Sequence, residues 1–451
     1  MRLRRDQINS SKNNLSTSSA HMYITRLSHP VKSLFSTSSI NQLARETGFL
    51  SRLRGMHPLK LVASLCNVLG AKGQANLADI QRELATLSLQ APAYKPFHNQ
   101  FKKPQLTTFM RRLVSKVTEQ LLIAPFVSSL SGAQPFERIH VHDGSTLKLH
   151  DGLKDTFAGR FTQTMPAAVE LHLTMDLLSG SVDYMEIDAD KESERLYQPY
   201  ANESKGILHL MDAGYFDIGY VFQINEFGGY CIIHAKNNIN PTIIKATRGC
   251  GTEIRALQGK RLQSLKLKQD EILDLTVSWE GKEGTFRLIA SWDKRKRRRG
   301  YLITNLPRDT FLPKHILEYY GLRWQVELLF KELKSWCNLS TFATRNADIV
   351  RTLIWSSVLV MLLKRFMAFG TAAMCQIVIS TQKVQRSAVT WMHHWVQALC
   401  GKTDMNEALE TIVEILRVNA VRAHPKRDKG RLATKLTLFK PRFSDPEVVN
   451  I

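Results

Sequence analysis

The sequence lacks a cysteine framework, a long uninterrupted apolar run and a balance of charge. Its six cysteines (Cys66, Cys231, Cys250, Cys337, Cys375, Cys400) are scattered, and none forms a C-x-x-C pair. That pattern indicates neither a disulfide scaffold nor a zinc site, and a reduced, cytoplasmic compartment is expected. The most apolar stretch, TLIWSSVLVMLL at 352–363, is flanked by Arg351, Lys364 and Arg365. It falls short of the ~20 apolar residues that span a bilayer, so it reads as a buried helix of a soluble protein. No apolar core of a secretion signal opens the chain, and there is no internal repeat.

Acidic residues are also scarce. Lys and Arg number 62 against 40 Asp and Glu in 451 residues, for a net charge of +22. Such an excess points to a polyanionic partner, because Lys and Arg displace condensed counterions from phosphates. With 43% hydrophobic residues the bulk of the chain can fold around a core. Residues 1–38, rich in Ser and Arg, read as a basic disordered arm.

Periodicity divides the remainder. Residues 39–125 carry apolar positions at helical spacing, as in SINQLARETGF (39–49), LADIQRELATLS (77–88) and PQLTTFMRRLVSKVTEQLL (104–122). Short helices with basic outer faces suit a DNA-binding unit of helix-turn-helix character. From 126 to 240 the texture becomes mixed. RIHVHDGSTLKLH (138–150) alternates like a strand, 168–188 reads as a hairpin turning at Ser179–Gly180, and GILHLMDAGYFD (206–217) is a second strand end. Residues 241–311 read as a β-rich insertion, 312–370 as the return to the α/β layers, and 371–451 as a helical region with a basic tail. The fold class expected is α/β.

The stretch YGLRWQVELLFKELK (320–334) reads as one amphipathic helix. At 100° per residue, Tyr320, Arg323, Glu327, Lys331 and Lys334 share an arc of roughly 80°, opposite Leu322, Val326, Leu329 and Leu333. Such a stripe is either a solvated, salt-bridged face or one wall of an active site. Partners for Glu327 are available in Asp143 (HVHDGS) and Asp212 (HLMDAGYFD), each expected where a strand gives way to a turn. Carboxylates gathered beyond the ends of neighbouring strands can hold Mg²⁺, which takes oxygen ligands. No Cys or His cluster is expected to compete, and His142 and His150 are left outside the metal set. Asp176, Asp188 and Asp217 are alternative acidic candidates, of which Asp176, before a turn, and Asp188, at a strand end, are read as structural. The run Lys294 to Arg299 (KRKRRR) reads as a hairpin loop reaching toward DNA backbone.

Tyr320-x₂-Arg323-x₃-Glu327-x₆-Lys334 resembles the Y-R-E-K signature of bacterial insertion-sequence DDE transposases, the family typified by insertion sequence four. HDGSTLKL resembles its first-aspartate region and DAGYFD its second, in the same order along roughly 40–370. The resemblance implies a ribonuclease-H-like mixed sheet interrupted by the β-rich insertion. It implies a DDE triad of Asp143, Asp212 and Glu327 holding two Mg²⁺ or Mn²⁺ ions, with Tyr320, Arg323 and Lys334 gripping DNA phosphates and Lys331 assisting. Arg295, Arg297 and Arg298 are expected against DNA. Some relatives flip a base out onto a tryptophan of the insertion; Trp292 and Trp279 are the candidates for that contact, and ordinary strand packing is the favoured reading of each. The implied partners are double-stranded DNA, as inverted repeats and target, and a second copy of the chain in a paired-end complex. The other readings are a nuclease of the same fold without strand transfer, and a decayed transposase acting as a DNA-binding repressor.

Overall fold

In the computed structural model, the described residues are 17–52, 56–71, 75–88, 90–121, 136–178, 180–293, 298–337 and 344–422. The chain opens with helices: α1 (Thr17–Leu34), α2 (Thr37–Glu46), α3 (Pro58–Ala71), α4 (Leu77–Leu87), α5 (Tyr94–Phe101) and α6 (Pro104–Gln120). Their starts follow from local chemistry. Ser36 caps α2 by accepting from the Ser39 N–H, and Asn76 and Asp79 form a reciprocal capping box on α4. Helix α1 corrects the expectation of an arm over 1–38. Its Ile24, Val31 and Leu34 are buried, and this apolar stripe, diluted by Ser and His in composition, finds a packing surface. Residues 1–16 lie outside the described residues.

Next come β1 (Arg138–Lys148), β2 (Ala158–Phe161), β3 (Met165–Asp176), β4 (Val182–Ala189), β5 (Ile207–Met211), α7 (Ile218–Glu226) and β6 (Tyr230–His234). Strand β1 is antiparallel to β3 and parallel to β5, β3 is antiparallel to β4, and β5 is parallel to β6. The order β4-β3-β1-β5-β6 with these senses is a ribonuclease-H-like sheet, as expected. Ser179 of the hairpin falls outside the described residues, and Gly180 takes φ 72°, a left-handed conformation open to glycine.

The segment expected as an insertion contributes β7 (Thr242–Arg248), β8 (Ile272–Ser278), β9 (Phe286–Asp293) and β10 (Arg298–Thr304). These strands extend the same sheet, because β10 pairs antiparallel with β6 and the order runs on as β6-β10-β9-β8-β7. Their inner residues, including Ile243, Leu275, Leu288 and Ile303, share a core with α7 and the buried Tyr215. Strand pairing satisfies the backbone groups that a free edge at β6 would expose.

Helix α8 (Pro313–Tyr320) is followed by a 3-10 turn, Gly321–Arg323, and then α9 (Trp324–Trp336). The single helix expected over 320–334 is therefore broken at its start. Glycine is a poor helix former, and a tightened turn re-aims the chain at that position. The inner face of α9 is fixed by a buried pair, Arg365 Nε to Glu332 Oε2 at 2.9 Å, and by Lys364 Nζ donating to the Trp336 carbonyl. Both cations lie on α10 (Ala347–Cys375), which contains the apolar stretch 352–363. Although α10 is long and apolar enough to cross a bilayer, 83% of its apolar window is buried inside the protein. Helices α3 and α6 pack along it, as do α11 (Thr381–Leu399) and α12 (Met405–Asn419), so N-terminal and C-terminal helices share one core.

Candidate active site

The register of β1 and β5 places two of the expected carboxylates side by side. Val141 pairs with Leu210 at the last shared position, and Asp143 and Asp212 stand two residues further along, Asp212 just past the end of β5. Asp143 is not at a strand end, contrary to expectation. Strand β1 continues to Lys148 because β3 accompanies it throughout, while β5 stops at Met211 and leaves Asp143 beside an opening. Asp212 begins a turn in which its Oδ1 accepts from the Gly214 N–H at 2.8 Å. Gly214 lets the Glu194 carboxylate lie close to this turn, since a Cβ would fall 1.4 Å from Glu194 Oε2 and push that side chain aside. Glu327 comes from the first turn of α9.

Arg323 joins these groups. Its Nη1 lies 3.3 Å from Asp143 Oδ2, and its Nη2 is bonded to Glu327 Oε1. Burial and the neighbouring Asp212 and Glu327 charges push the Asp143 carboxyl up to about 7, although Arg323 opposes them. For Arg323, burial disfavours its charge, but Tyr320, Asp143, Glu327 and Asp212 outweigh burial and hold it protonated. Asp143 and Glu327 thus share one guanidinium, with the Asp212 charge close by, a set short of positive charge. Hard oxygen donors with excess negative charge suit a divalent cation such as Mg²⁺, so the residues present fit the implied metal.

The remaining stripe also converges on β1. Lys334 Nζ donates to the Thr146 carbonyl at 2.9 Å, and burial lowers its pKa. Tyr320 is half-buried, and burial raises its phenol to about 12. Lys331 is exposed, and so is Trp324, an indole beside Arg323 that periodicity did not single out. Trp292 lies half-buried on β9, paired with Arg299 of β10. Trp279 packs edge-on against Phe286 at 5.2 Å, a strand-packing contact. Arg295 and Arg297 lie outside the described residues, as does the side chain of Arg298, whose backbone belongs to β10. Arg299 is drawn inward, donating to the carbonyls of Gln263 and Leu265.

Several groups escaped the sequence reading. Glu170 of β3 is buried, and burial together with Glu194 raises its carboxyl to about 7. Burial and Asp212 raise that of Glu194. The expectation that no histidine cluster exists is overturned. His140, His142 and His209 are all buried and bring one ring nitrogen each within 4.8 Å of the others. Burial lowers the pKa of His142, and it lowers that of His209 to about 3. The cluster was invisible because His209 is distant in sequence and meets His140 only through the β1–β5 register. One signal was present: polar residues at Glu170, His172, Thr174 and Asp176 alternate through β3, marking a polar buried sheet face.

The family model described as Transposase DDE domain matches residues 134–363, just over half of the chain. The transposase of insertion sequence element IS231E from Bacillus thuringiensis subsp. finitimus is 21% identical over 344 residues, covering 66% of this chain and 70% of the relative. That of IS1151 from Clostridium perfringens is 25% identical over 240 residues, 44% of this chain and 50% of the relative. A solved piggyBac transposase synaptic complex with hairpin DNA superposes with a TM-score of 0.43 at 11% identity, over 86% of this chain and 85% of that one. The chain belongs to the DDE-domain transposases, with relatives in bacterial insertion sequences: it is an enzyme that cleaves DNA and transfers its strands.

Proposed function

We propose that the protein binds the terminal inverted repeats of its own insertion sequence and moves that element by cut-and-paste transposition. The observation that carries this reading is the meeting of Asp143, Asp212 and Glu327, from β1, the end of β5 and α9, around a single arginine. DDE transposases generally use divalent metals. The three carboxylates would hold two Mg²⁺ or Mn²⁺ ions. When bound, such a pair activates the attacking oxygen and stabilises the leaving one in phosphodiester chemistry. A water oxygen attacks the phosphorus, the bond to the 3′ oxygen breaks, and the freed 3′-OH then attacks a target phosphodiester. Strand transfer exchanges one phosphodiester for another, so no high-energy cofactor is needed.

The chain's own groups position the DNA. Tyr320, Arg323 and Lys334 face the carboxylates and are assigned the phosphates beside the scissile bond, with Lys331 at the exposed margin. A planar guanidinium suits bidentate phosphate contact and a lysine acts as a point charge. Trp292 and the basic Arg295, Arg297 and Arg298 are assigned to the flanking DNA. The helical segment 39–125 is assigned to end recognition, and the C-terminal helices to pairing two copies so that both ends are cut together. The setting is the bacterial cytoplasm, on the nucleoid.

The test uses DNA carrying the inverted repeats that flank the coding region. With Mg²⁺ the purified protein is expected to nick the ends and to join a pre-cleaved 3′-OH end to target DNA. Asp143→Ala, Asp212→Ala and Glu327→Ala are each expected to abolish both reactions while keeping end binding. Normal cleavage by all three variants would overturn the triad. Cleavage without joining would indicate a nuclease, and binding without either, a repressor.

A further inference from the structure

On the sheet face behind the catalytic aspartates lies a second cluster of potential ligands, of different chemistry. His140 and His142 alternate on β1 and so point to the same side, while His209 on β5 pairs directly with His140. All three are at least nine-tenths buried, at 8%, 1% and 1% exposure. His142 Nε2 and His209 Nδ1 face each other at 2.9 Å. Each ring also has an outer partner: His142 Nδ1 meets Thr174 Oγ1 at 2.8 Å, His209 Nε2 meets Ser204 Oγ at 3.0 Å, and His140 Nε2 meets Asp183 Oδ2 at 3.0 Å. Outer hydrogen bonds of this kind, to hydroxyl and carboxylate, orient metal-ligating histidines and fix their tautomers.

We infer that His140, His142 and His209 form a binding site for a borderline-soft divalent cation of the zinc class, separate from the carboxylate site. Zinc–nitrogen bonds of ~2.0–2.1 Å in a tetrahedron place ligand nitrogens about 3.3–3.4 Å apart. The His142–His209 pair already lies within that spacing, and His140 closes the remaining gap by a tilt of about 1.4 Å from the 4.8 Å limit of the cluster. Binding requires no net loss of a proton. The hydrogen held between His142 and His209 is replaced when His142 takes its Nδ1–H tautomer and donates to Thr174, whose hydroxyl can accept. Charge compensation is at hand in Asp183 and in Asp176, which is buried and paired with His140 across β1 and β3. Imidazole ligands select zinc, cobalt or nickel over magnesium, whereas carboxylates suit magnesium. An ion there would tie β1 to β5, the two strands that carry Asp143 and Asp212, and so set the spacing of the aspartates from behind.

The full chain, stripped with EDTA and dialysed, is titrated with Co²⁺ and followed by its visible ligand-field absorption. The expected result is a band of tetrahedral intensity saturating at a single equivalent, bleached by Zn²⁺ and unchanged by excess Mg²⁺. The band is expected to survive in D143N/D212N/E327Q and to disappear in H142Q/H209Q. Should that pair of substitutions impair folding, H140Q, the least buried of the three, is expected to weaken Co²⁺ binding at least tenfold. Absence of any tetrahedral band in the wild-type protein would overturn the site and leave a hydrogen-bonded histidine chain only. A band lost in the carboxylate variant but kept in H142Q/H209Q would overturn it too, by placing the ion in the acidic cluster. Because the readout is spectroscopic, this outcome is independent of whether the protein transposes DNA.

Discussion

Two aspartate–arginine pairs, Asp274–Arg287 and Asp143–Arg323, have their aspartates on distant strands of one sheet, β8 and β1, and differ in almost everything but residue type. Arg287 grips Asp274 through Nε and Nη2, the latter at 2.7 Å, and spends its other donors on the carbonyls of Leu306 and Phe311. Arg308 adds a second cation to the same carboxylate at 3.0 Å. This pair joins β8 and β9 to the segment that leads into α8, and every strong partner is supplied from within the fold. Arg323, by contrast, is shared between Asp143 and Glu327 with Asp212 close by, and the Asp143 carboxyl titrates near 7. A buried pair with complete hydrogen bonding is architecture. A cluster with more carboxylates than cations has charge left over for a ligand.

The largest expected effect is on chemistry. Alanine at Asp143, Asp212 or Glu327 should lower end cleavage by roughly 10³-fold or more, at or beyond the scale of losing one preorganised electrostatic stabiliser. Alanine at Asp274 should leave the chemistry of protein that still folds near normal. Quantified nicking of labelled ends separates the two pairs, and equal losses would erase the distinction.

Stability should show the reverse order. Arg287→Ala leaves the buried Asp274 carboxylate with only the half-exposed Arg308 and removes the donors to the Leu306 and Phe311 carbonyls, and is expected to cost about 3 kcal/mol, read from denaturant unfolding. Asp143→Asn is expected to stabilise the metal-free fold. The Asp143 carboxyl rises from 3.8 to about 7 on folding, so the folded state binds this proton more tightly than the unfolded chain. Its contribution is present below about pH 4 and is lost as pH rises through about 7. In EDTA at pH 8 the Asn variant should therefore melt higher than wild type, by at most about 4 kcal/mol at 1.36 kcal/mol per pKa unit, and the gap should close at pH 4. A variant that melts lower at pH 8 would show that Arg323 depends on Asp143 more than burial penalises it. Added Mg²⁺ should raise the melting temperature of the wild type and not of D143N.

The smallest effect is expected at Lys334. Lys334→Ala should weaken end binding uniformly across sequences and reduce the slope of log affinity against log salt by about one. An unchanged slope in a gel-shift series at several salt concentrations would confine Lys334 to its bond with the Thr146 carbonyl.

Much of this was legible in the chain itself. Alternation marked β1 and β3, helical spacing marked α4 and α6, and the spacing of Tyr320, Arg323, Glu327 and Lys334 singled out the helix that faces β1. These are local signals, written in side-chain periodicities of 2 and 3.6. They failed where the outcome depended on a distant partner. Residues 17–34 looked like a basic arm because their few apolar side chains need a surface that only the folded core supplies. The strands of 242–304 were legible as a β-rich insertion, but nothing local says that β10 will pair with β6 and extend the same sheet.

The sequence by itself determined the element types, the basic character suited to DNA, and the identity of three carboxylates with a cation stripe. Only the tertiary structure decided that one arginine is divided between two of those carboxylates. It also decided that β5 ends short of β1, so that Asp143 opens to a site from mid-strand, and that His209 lies against His140 and His142. Strand register and the endpoint of a strand are set by pairing between segments far apart in the chain. Which charges share a counter-ion, and which imidazoles share a point in space, therefore cannot be read from periodicity along it.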